Sequence, residues 1–316
     1  MTTPRRRLKD ERGFALLVVL LVMALVAVVS AEFAYSMRLE AAAVRAYKAG
    51  IIGSHLAEAA IEQAIREIVG DQTFVAENRD GVLTFYTADG RALPRLRHEK
   101  VEFGTGRFSY RITDEEARIN INSAPPDRID RLLQALGIDK DERDTIVDSL
   151  QDWRDPNDEH RLRGAESDEH YLKLAVPYRA RNANIESVAE LLQIKGITAE
   201  IYHGTKDRPG LASLVTVRTP DAQVNINTAV PAVLSAHGLS GAEITEIEQS
   251  RRNNGPYLTQ PAKFGARQLG KIRTTTFRIE AEGIVDDKVA ARVTAIVQKR
   301  DGDPPRVAVL EWSGTR

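Results

Sequence analysis

An uninterrupted apolar run near the N-terminus limits what this chain can fold into more than any other feature. Residues 14–29 contain no polar side chain. As a helix they would span about 24 Å, and extension to residue 33 gives about 30 Å, the thickness of a bilayer core. By the positive-inside rule, the preceding basic residues stay in the cytoplasm, so the sequence predicts one membrane span with the bulk of the chain beyond it. These basic residues are Arg5, Arg6, Arg7, Lys9 and Arg12.

Three interpretations of this segment compete. A plain signal anchor needs only the basic flank and the apolar run. A secretory signal peptide is the second, because residues 29–31 fit a cleavage site that would leave Glu32 as the first residue. A type IV prepilin leader, cut between Gly13 and Phe14, is the third. We favour the third because charged residues extend up to Gly13, the apolar run starts at Phe14, and the helical pattern continues past residue 31.

The helical pattern continues as an amphipathic stripe. Its apolar residues are spaced by threes and fours, apart from one skipped turn at Ser54, as on one face of a helix. The sequence therefore predicts one helix from residue 14 to about residue 69, divided into a leader (1–13), a transmembrane part (14–33) and an amphipathic continuation (34–70). The alternative is two helices with a break at Gly50 and Gly53. The stripe consists of Val44, Tyr47, Ile51, Ala57, Ile61, Ala64 and Ile68.

Two β-rich regions flank the middle of the chain. Residues 277–297 alternate apolar and polar side chains around a turn at 286–288, which predicts a hairpin with one buried face. We therefore assign β structure to residues 71–119 and 271–316. Shorter strands are predicted at residues 82–86, 108–112 and 306–312.

The block between them, residues 120–270, is predicted to be helical. It contains an internal sequence repeat, here called the echo. The segment 118–125 reappears as 223–231, and each copy leads into a short helix that ends in Leu-Gly-Ile (136–138) or His-Gly-Leu (237–239). A related pattern lies around Gly196. Such helix–glycine–helix patterns are typical of helix-hairpin-helix elements, in which the glycine ends one helix before the next begins.

Helix-hairpin-helix elements often bind the DNA backbone, so a membrane-anchored DNA-binding protein is the alternative function. Phosphate binding needs a basic surround, whereas acidic residues such as Asp139, Glu200 and Glu243 follow the three glycines. The net charge of −1 also argues against nucleic acid as a partner. We therefore interpret these elements as packing units.

An acidic loop after residue 152 is the candidate metal site. Hard cations such as calcium prefer several oxygen ligands on one loop. Counted from Asp155, oxygen-bearing side chains occupy places 1, 3, 5 and 12 of an EF-hand-like spacing, but His160 stands where the turn needs glycine. The alternative is a solvated loop neutralised by nearby arginines. The predicted ligands are Asp155, Asn157, Asp158, Glu166 and Asp168.

Catalytic chemistry finds little support in the sequence. The chain has no cysteine, which excludes disulfides and thiol catalysis. Its six histidines show no zinc-ligand spacing, and we find no phosphate loop or serine elbow. We therefore expect a protein that is not an enzyme.

Several motifs in order along the chain resemble type II secretion system protein K, a minor pseudopilin family. Beyond the leader and apolar helix, the resemblance lies in residues 114–122, 152–155, 164–166 with Tyr171, 190–192 and 224–229. It implies an α+β fold: a pilin-like antiparallel sheet with a long N-terminal helix and an inserted all-helical domain. It also implies cleavage after Gly13 and N-methylation of Phe14 by prepilin peptidase, and calcium bound in the inserted domain.

The resemblance further implies a structural role. Family members lie at the tip of a periplasmic pseudopilus with minor pseudopilins I and J and other pseudopilins. Most pilin-like subunits carry glutamate at the fifth place of the mature chain, where this sequence has Val18. A tip subunit has no neighbour above it to pair with that carboxylate, so valine fits the tip. We therefore expect a single-pass inner-membrane subunit, largely periplasmic, that caps or initiates the pseudopilus for export of folded proteins.

Overall fold

A computed structural model describes residues 11–70, 73–77, 82–265, 269, 271–302 and 306–315. One helix, α1 (Glu11–Ile68), runs without a break through Gly50 and Gly53. The prediction of a single helix is therefore confirmed, and the two-helix alternative is wrong. Most of the predicted leader, residues 1–10, lies outside the described residues.

The C-terminal third of α1 packs across a five-stranded antiparallel sheet with the strand order β3-β4-β7-β8-β9. A separate antiparallel pair, β1 with β2, lies beside it. The predicted strands near residues 83, 108, 279 and 306 are thereby confirmed. The strands are β1 (Phe74–Glu77), β2 (Leu83–Tyr86), β3 (Val101–Phe103), β4 (Gly106–Asp114), β7 (Thr276–Val285), β8 (Lys288–Arg300) and β9 (Arg306–Thr315).

Strands β7 and β8 form a hairpin with the turn at the predicted place. Ile279 faces Ala295 across the pair, and both side chains lie in the core under α1. Asp286 and Asp287 form the turn with φ angles of 50° and 61°, as a two-residue hairpin turn requires. The alternation of the sequence predicted this hairpin because a strand with one buried face repeats every two residues.

The predicted apolar stripe of α1 is only partly buried. Ala57, Ile61 and Ala64 are fully enclosed by the sheet. Val44 and Tyr47 belong to the same stripe but are exposed, and so are all side chains from residue 14 to residue 48. The predicted stripe is therefore buried only toward the C-terminal end of α1, because the sheet does not extend farther along the helix.

Three glycines let α1 approach the sheet closely. A Cβ atom on Gly283 of β7 would overlap the carbonyl oxygen of Gly53, and one on Gly53 would lie 2.7 Å from the Cβ of Ala290. A Cβ on Gly106 would lie 2.6 Å from the side chain of Leu56. Gly53 therefore serves close packing of helix on sheet.

The chain leaves the sheet after β4 and returns at β7, and the residues between form an insert with its own hydrophobic core. The insert is mostly helical, but it is not all-helical as predicted. Its strands β5 (Ile119–Asn120) and β6 (Val215–Thr216) pair in parallel. Four short 3-10 helices also belong to this part of the chain. The helices are α2 (Pro126–Ala135), α3 (Lys140–Arg154), α4 (Ala199–His203), α5 (Pro231–Ala236), α6 (Gly241–Asn254) and α7 (Ala262–Gly265).

The two copies of the echo adopt the same local structure. The side-chain amide of Asn122 donates to the backbone oxygen of Ile185 and accepts from its backbone N–H, both at 2.9 Å. Asn227 bonds Tyr257 in the same way, at 2.7 and 3.1 Å. After the first helix of each copy, a glycine with φ near 75° turns the chain into the second helix: Gly137 (71°) and Gly238 (79°). The helix-hairpin-helix assignment itself stays a prediction.

Candidate functional site

The first candidate site is the exposed part of α1. Within the described ranges, one helix is long and apolar enough to cross a membrane, and it is this one. Phe14 is 72% exposed and Val18 is 40% exposed. Exposing such a continuous apolar surface to water is unfavourable by about 25 cal/mol per Å². The surface therefore fits a lipid or protein environment, with the sheet and insert beyond its C-terminal end.

The second candidate site is the acidic loop, which begins where α3 ends. Asp152 is fully buried and accepts bonds from the backbone N–H groups of Arg161 (3.1 Å) and Ala165 (2.9 Å). The guanidinium of Arg161 bridges Asp152 (2.6 Å) and Asp155 (2.7 Å). Arg161 thus folds the loop back onto the helix and neutralises part of its charge.

The middle of the loop is held from another segment. Asn182 donates from its amide to the carboxylate of Asp158 (2.8 Å) and to the carbonyl oxygen of Asn157 (3.2 Å). The Asn157 side chain accepts from the N–H of Glu159 at 2.9 Å and donates to Asp155 at 2.9 Å. Sequence reasoning missed Asn182, because its position beside the loop depends on how residues 171–185 fold back.

Glu166 is the most unusual group in the loop. Its side chain is only 1% exposed, and among the described residues its Oε1 has no hydrogen-bond partner. Oε2 accepts one bond, 3.3 Å long, from the N–H of Ser167. Burial raises the pKa of Glu166 to about 7, and the charges of Asp152, Asp155 and Asp158 add to the rise although the Ser167 bond opposes it.

The predicted ligands are therefore only partly brought together. Asp155 and Asp158 lie near enough to Glu166 to affect its charge, whereas Asp168 is exposed. Within the described ranges, no group of three or more histidine, aspartate or glutamate side chains is placed to hold a metal ion. The calcium ligands stay a prediction. Arg161 and Asn182 bind oxygens of Asp155 and Asp158 in this structure.

Side chains at the helix–glycine–helix turns bond within the protein. Arg131, on the first helix of the first copy, donates to the carbonyl oxygen of Ala236 (2.9 Å) and to Asp127 (2.7 Å). At the second copy, Ser240 and Glu243 cap the following helix. These side chains are committed to holding the two copies and their helices together, as expected of packing units.

The fold and the exposed helix define a class: a pilin-like α+β subunit with a long apolar N-terminal helix and a helical insert. The family model "Type II secretion system (T2SS), protein K" matches residues 110–207. Type II secretion system protein K of Pseudomonas aeruginosa is 26% identical over 93% of this chain and 91% of the relative. The Klebsiella pneumoniae protein of that name is 29% identical over 80% of each chain.

The comparisons confirm the predicted resemblance to type II secretion system protein K. A solved structure, the GspK-GspI-GspJ complex from the enterotoxigenic Escherichia coli type 2 secretion system, matches with a TM-score of 0.55. The match covers 70% of this chain and 84% of that chain at 18% identity, and so supports the fold.

Proposed function

We propose that the chain is a minor pseudopilin of the type II secretion system at the tip of the periplasmic pseudopilus, which it caps or initiates for export of folded proteins. Residues 14–33 anchor it in the inner membrane, and the bulk of the chain lies in the periplasm. The observation that carries this proposal is the continuous helix α1, exposed along its first half and packed on the sheet along its last third. Such a helix joins a membrane span rigidly to a folded domain.

The partners in this proposal are minor pseudopilins I and J and other pseudopilins. Support comes from the structural neighbour, which was solved as a complex of GspK with GspI and GspJ. The insert supports the tip position, because a domain of this size leaves little room for another subunit to stack above it.

Processing by prepilin peptidase is the third part of the proposal. The enzyme cuts between Gly13 and Phe14 and methylates the new N-terminus. The abrupt change from charged to apolar residues at this bond supports it.

Intact mass and N-terminal sequencing of the protein from membranes of its own host test this proposal. We expect a chain that starts at Phe14 and is heavier by one methyl group. The Gly13→Ala variant should keep Met1 and lose secretion, whereas the matched control Ala15→Gly should be processed normally. A start at Glu32 would mean an ordinary signal peptide and contradict the pseudopilin function.

We also propose that the acidic loop binds calcium through Glu166, with Asp155, Asn157, Asp158 and Asp168 as the other ligands. The buried Oε1 of Glu166, which has no hydrogen-bond partner in the part of the chain that the structure describes, supports a cation there, because a carboxylate in that position is costly without one. Binding would move Asp155 away from Arg161 and stabilise the loop against α3.

Calorimetric titration of the metal-free, full-length protein with calcium tests this second proposal. We expect one binding event that the Glu166→Gln variant loses. The control is Glu169→Gln, because Glu169 is exposed and paired with Lys173 at 3.0 Å. Calcium binding that survives in Glu166→Gln would remove Glu166 from the site.

A further inference from the structure

Three consecutive acidic residues are buried where the chain passes from the sheet into the insert. Asp114 ends β4, and Glu115 and Glu116 begin the short helix after it. All three, here called the junction triplet, are at most 4% exposed. Burying adjacent carboxylates is unfavourable unless donors or cations surround each one. Their bonding partners therefore show which parts of the molecule the triplet holds together.

Asp114 binds the insert to the returning chain. Its carboxylate accepts bonds from Asn225 (2.8 Å) and Thr228 (2.6 Å) of the second echo copy. It also accepts from the hydroxyl of Thr274 at 2.6 Å and from the N–H of Glu116 at 2.8 Å. Four donors converge on one buried group, and they come from three different segments.

Glu115 binds the insert to the sheet. Arg278 of β7 donates to both of its carboxylate oxygens at 2.9 Å, the paired geometry that suits an arginine and a carboxylate. The hydroxyl of Thr216, in the short strand β6 of the insert, donates at 2.6 Å. Arg118 forms a further ion pair with the same carboxylate.

Glu116 binds the segment by which the chain returns to the sheet, residues 271–276. Its carboxylate accepts from Lys271 at 2.7 Å and from the N–H groups of Thr275 and Thr276, both at 3.0 Å. Its backbone oxygen accepts from the N–H of Asn225 at 2.8 Å. The chain that leaves β4, the insert, and residues 271–276 thus meet at Glu116.

The hydrophobic cores on the two sides are separate. One lies between α1 and the sheet, and the other lies inside the insert. A partly exposed ion pair, Arg218 with Glu311 at 2.8 Å, is another tie between the insert and the sheet. Exposed pairs of this kind contribute little, whereas buried, charge-assisted hydrogen bonds contribute more.

We propose that the junction triplet is a conformational lock that holds the insert in one orientation on the sheet, so that the two cores move as one body. The lock does not depend on the proposed function. Replacing Glu116 by glutamine keeps its shape but leaves one acceptor oxygen where the carboxylate has two. The amide N–H₂ then faces either Lys271 or the N–H groups of Thr275 and Thr276, all of which are donors, and Lys271 loses its closest carboxylate. The insert then loosens at its base while each core stays folded.

Hydrogen–deuterium exchange of the full-length chain in detergent micelles tests the lock. In Glu116→Gln we expect exchange to become roughly tenfold faster in residues 223–228 and 271–276, with α3 and the rest of the β7–β8 hairpin, residues 277–300, unchanged. The control Glu311→Gln removes the exposed tie and should change exchange less than twofold. Unchanged exchange in both junction segments would overturn the proposal.

A milder variant distinguishes local loosening from general unfolding. If Glu116→Gln exchanges faster everywhere, Thr274→Val is measured, because it removes one hydroxyl bond to Asp114 and preserves volume. Faster exchange confined to the same two segments in this variant supports the lock. Faster exchange that again includes α3 means that the triplet supports overall folding, and the lock is then wrong.

Discussion

Two buried carboxylates, Glu115 and Glu166, have contrasting surroundings. Burial acts to raise the pKa of Glu115, but the bonds from Arg278 and the charge of Arg118 outweigh it and lower the pKa. Glu166 lacks such bonds on Oε1 among the described residues, and its pKa is raised to about 7. Glu115 is therefore a stable ion, whereas Glu166 is a group that a proton or a cation would stabilise.

Replacing Arg278 by methionine should destabilise the protein by about 3 kcal/mol, because it leaves Glu115 buried with Arg118 as its remaining cation. The matched control is Arg292→Met, which removes an exposed pair with Glu282 on the same sheet and should cost less than about 1 kcal/mol. Urea unfolding followed by tryptophan fluorescence measures both. Equal losses in the two variants would contradict the stabilising role of the buried pair.

Acidification should stabilise the metal-free protein through Glu166. Its pKa is about 7 in the folded chain against 4.5 for the ordinary group, so folding takes up a proton and becomes more favourable as the pH falls from about 8 to about 5. The shift corresponds to at most about 3 kcal/mol. We expect Glu166→Gln to show a flatter pH profile of unfolding free energy, with Glu169→Gln behaving like wild type. Parallel profiles for wild type and Glu166→Gln would refute this.

At the scale of elements, the contact between α1 and the sheet depends on glycine in a way that the sequence did not reveal. Gly50 and Gly53 look alike in sequence, and both were candidates for a helix break. A Cβ on Gly50 would meet nothing within 4 Å, whereas one on Gly53 would press on Ala290 at 2.7 Å. The two positions therefore make a matched pair within one helix.

Gly50→Ala should stabilise the protein by about 0.5–1 kcal/mol, because alanine favours helix over glycine and the site is open. Gly53→Ala should destabilise it by about 1–3 kcal/mol, because the helix must move away from β8. Thermal unfolding of both variants gives the comparison. A Gly53→Ala protein as stable as Gly50→Ala would show that the close approach is unimportant.

The proposed membrane span and the proposed filament position concern the whole molecule. Val18→Glu would place a carboxylate in the apolar segment. Without an amine partner it would cost several kcal/mol in lipid. If the chain is a tip subunit, we expect Val18→Glu to lower its incorporation into isolated pseudopili and the amount of protein secreted. The control Val18→Leu should behave like wild type. Unchanged incorporation and secretion in Val18→Glu would remove the support that Val18 lends to the tip position.

Elements with a local repeat could be predicted, and sites assembled from distant segments could not. The periodicity of residues 277–297 was enough to place a hairpin and its turn. The solvated-loop alternative allowed for nearby arginines, and Arg161 does pair with Asp155, but the spacing gave no sign that Asn182 would bind Asp158. A spacing motif identifies candidate ligands that are close in sequence. It does not identify hydrogen-bond donors that are distant in sequence and compete for the same oxygens in the folded protein.

From the sequence alone we could infer the long apolar helix, the hairpin of residues 277–297, the helical middle of the chain and the resemblance to type II secretion system protein K. These depend on apolar periodicity and on motifs within short stretches. Only the tertiary structure decided how the insert is held. Asp114 meets Asn225 and Thr274, which are 111 and 160 residues away. Local propensity carries no information about such pairs, because their hydrogen bonds form only after two separate cores have brought the segments together.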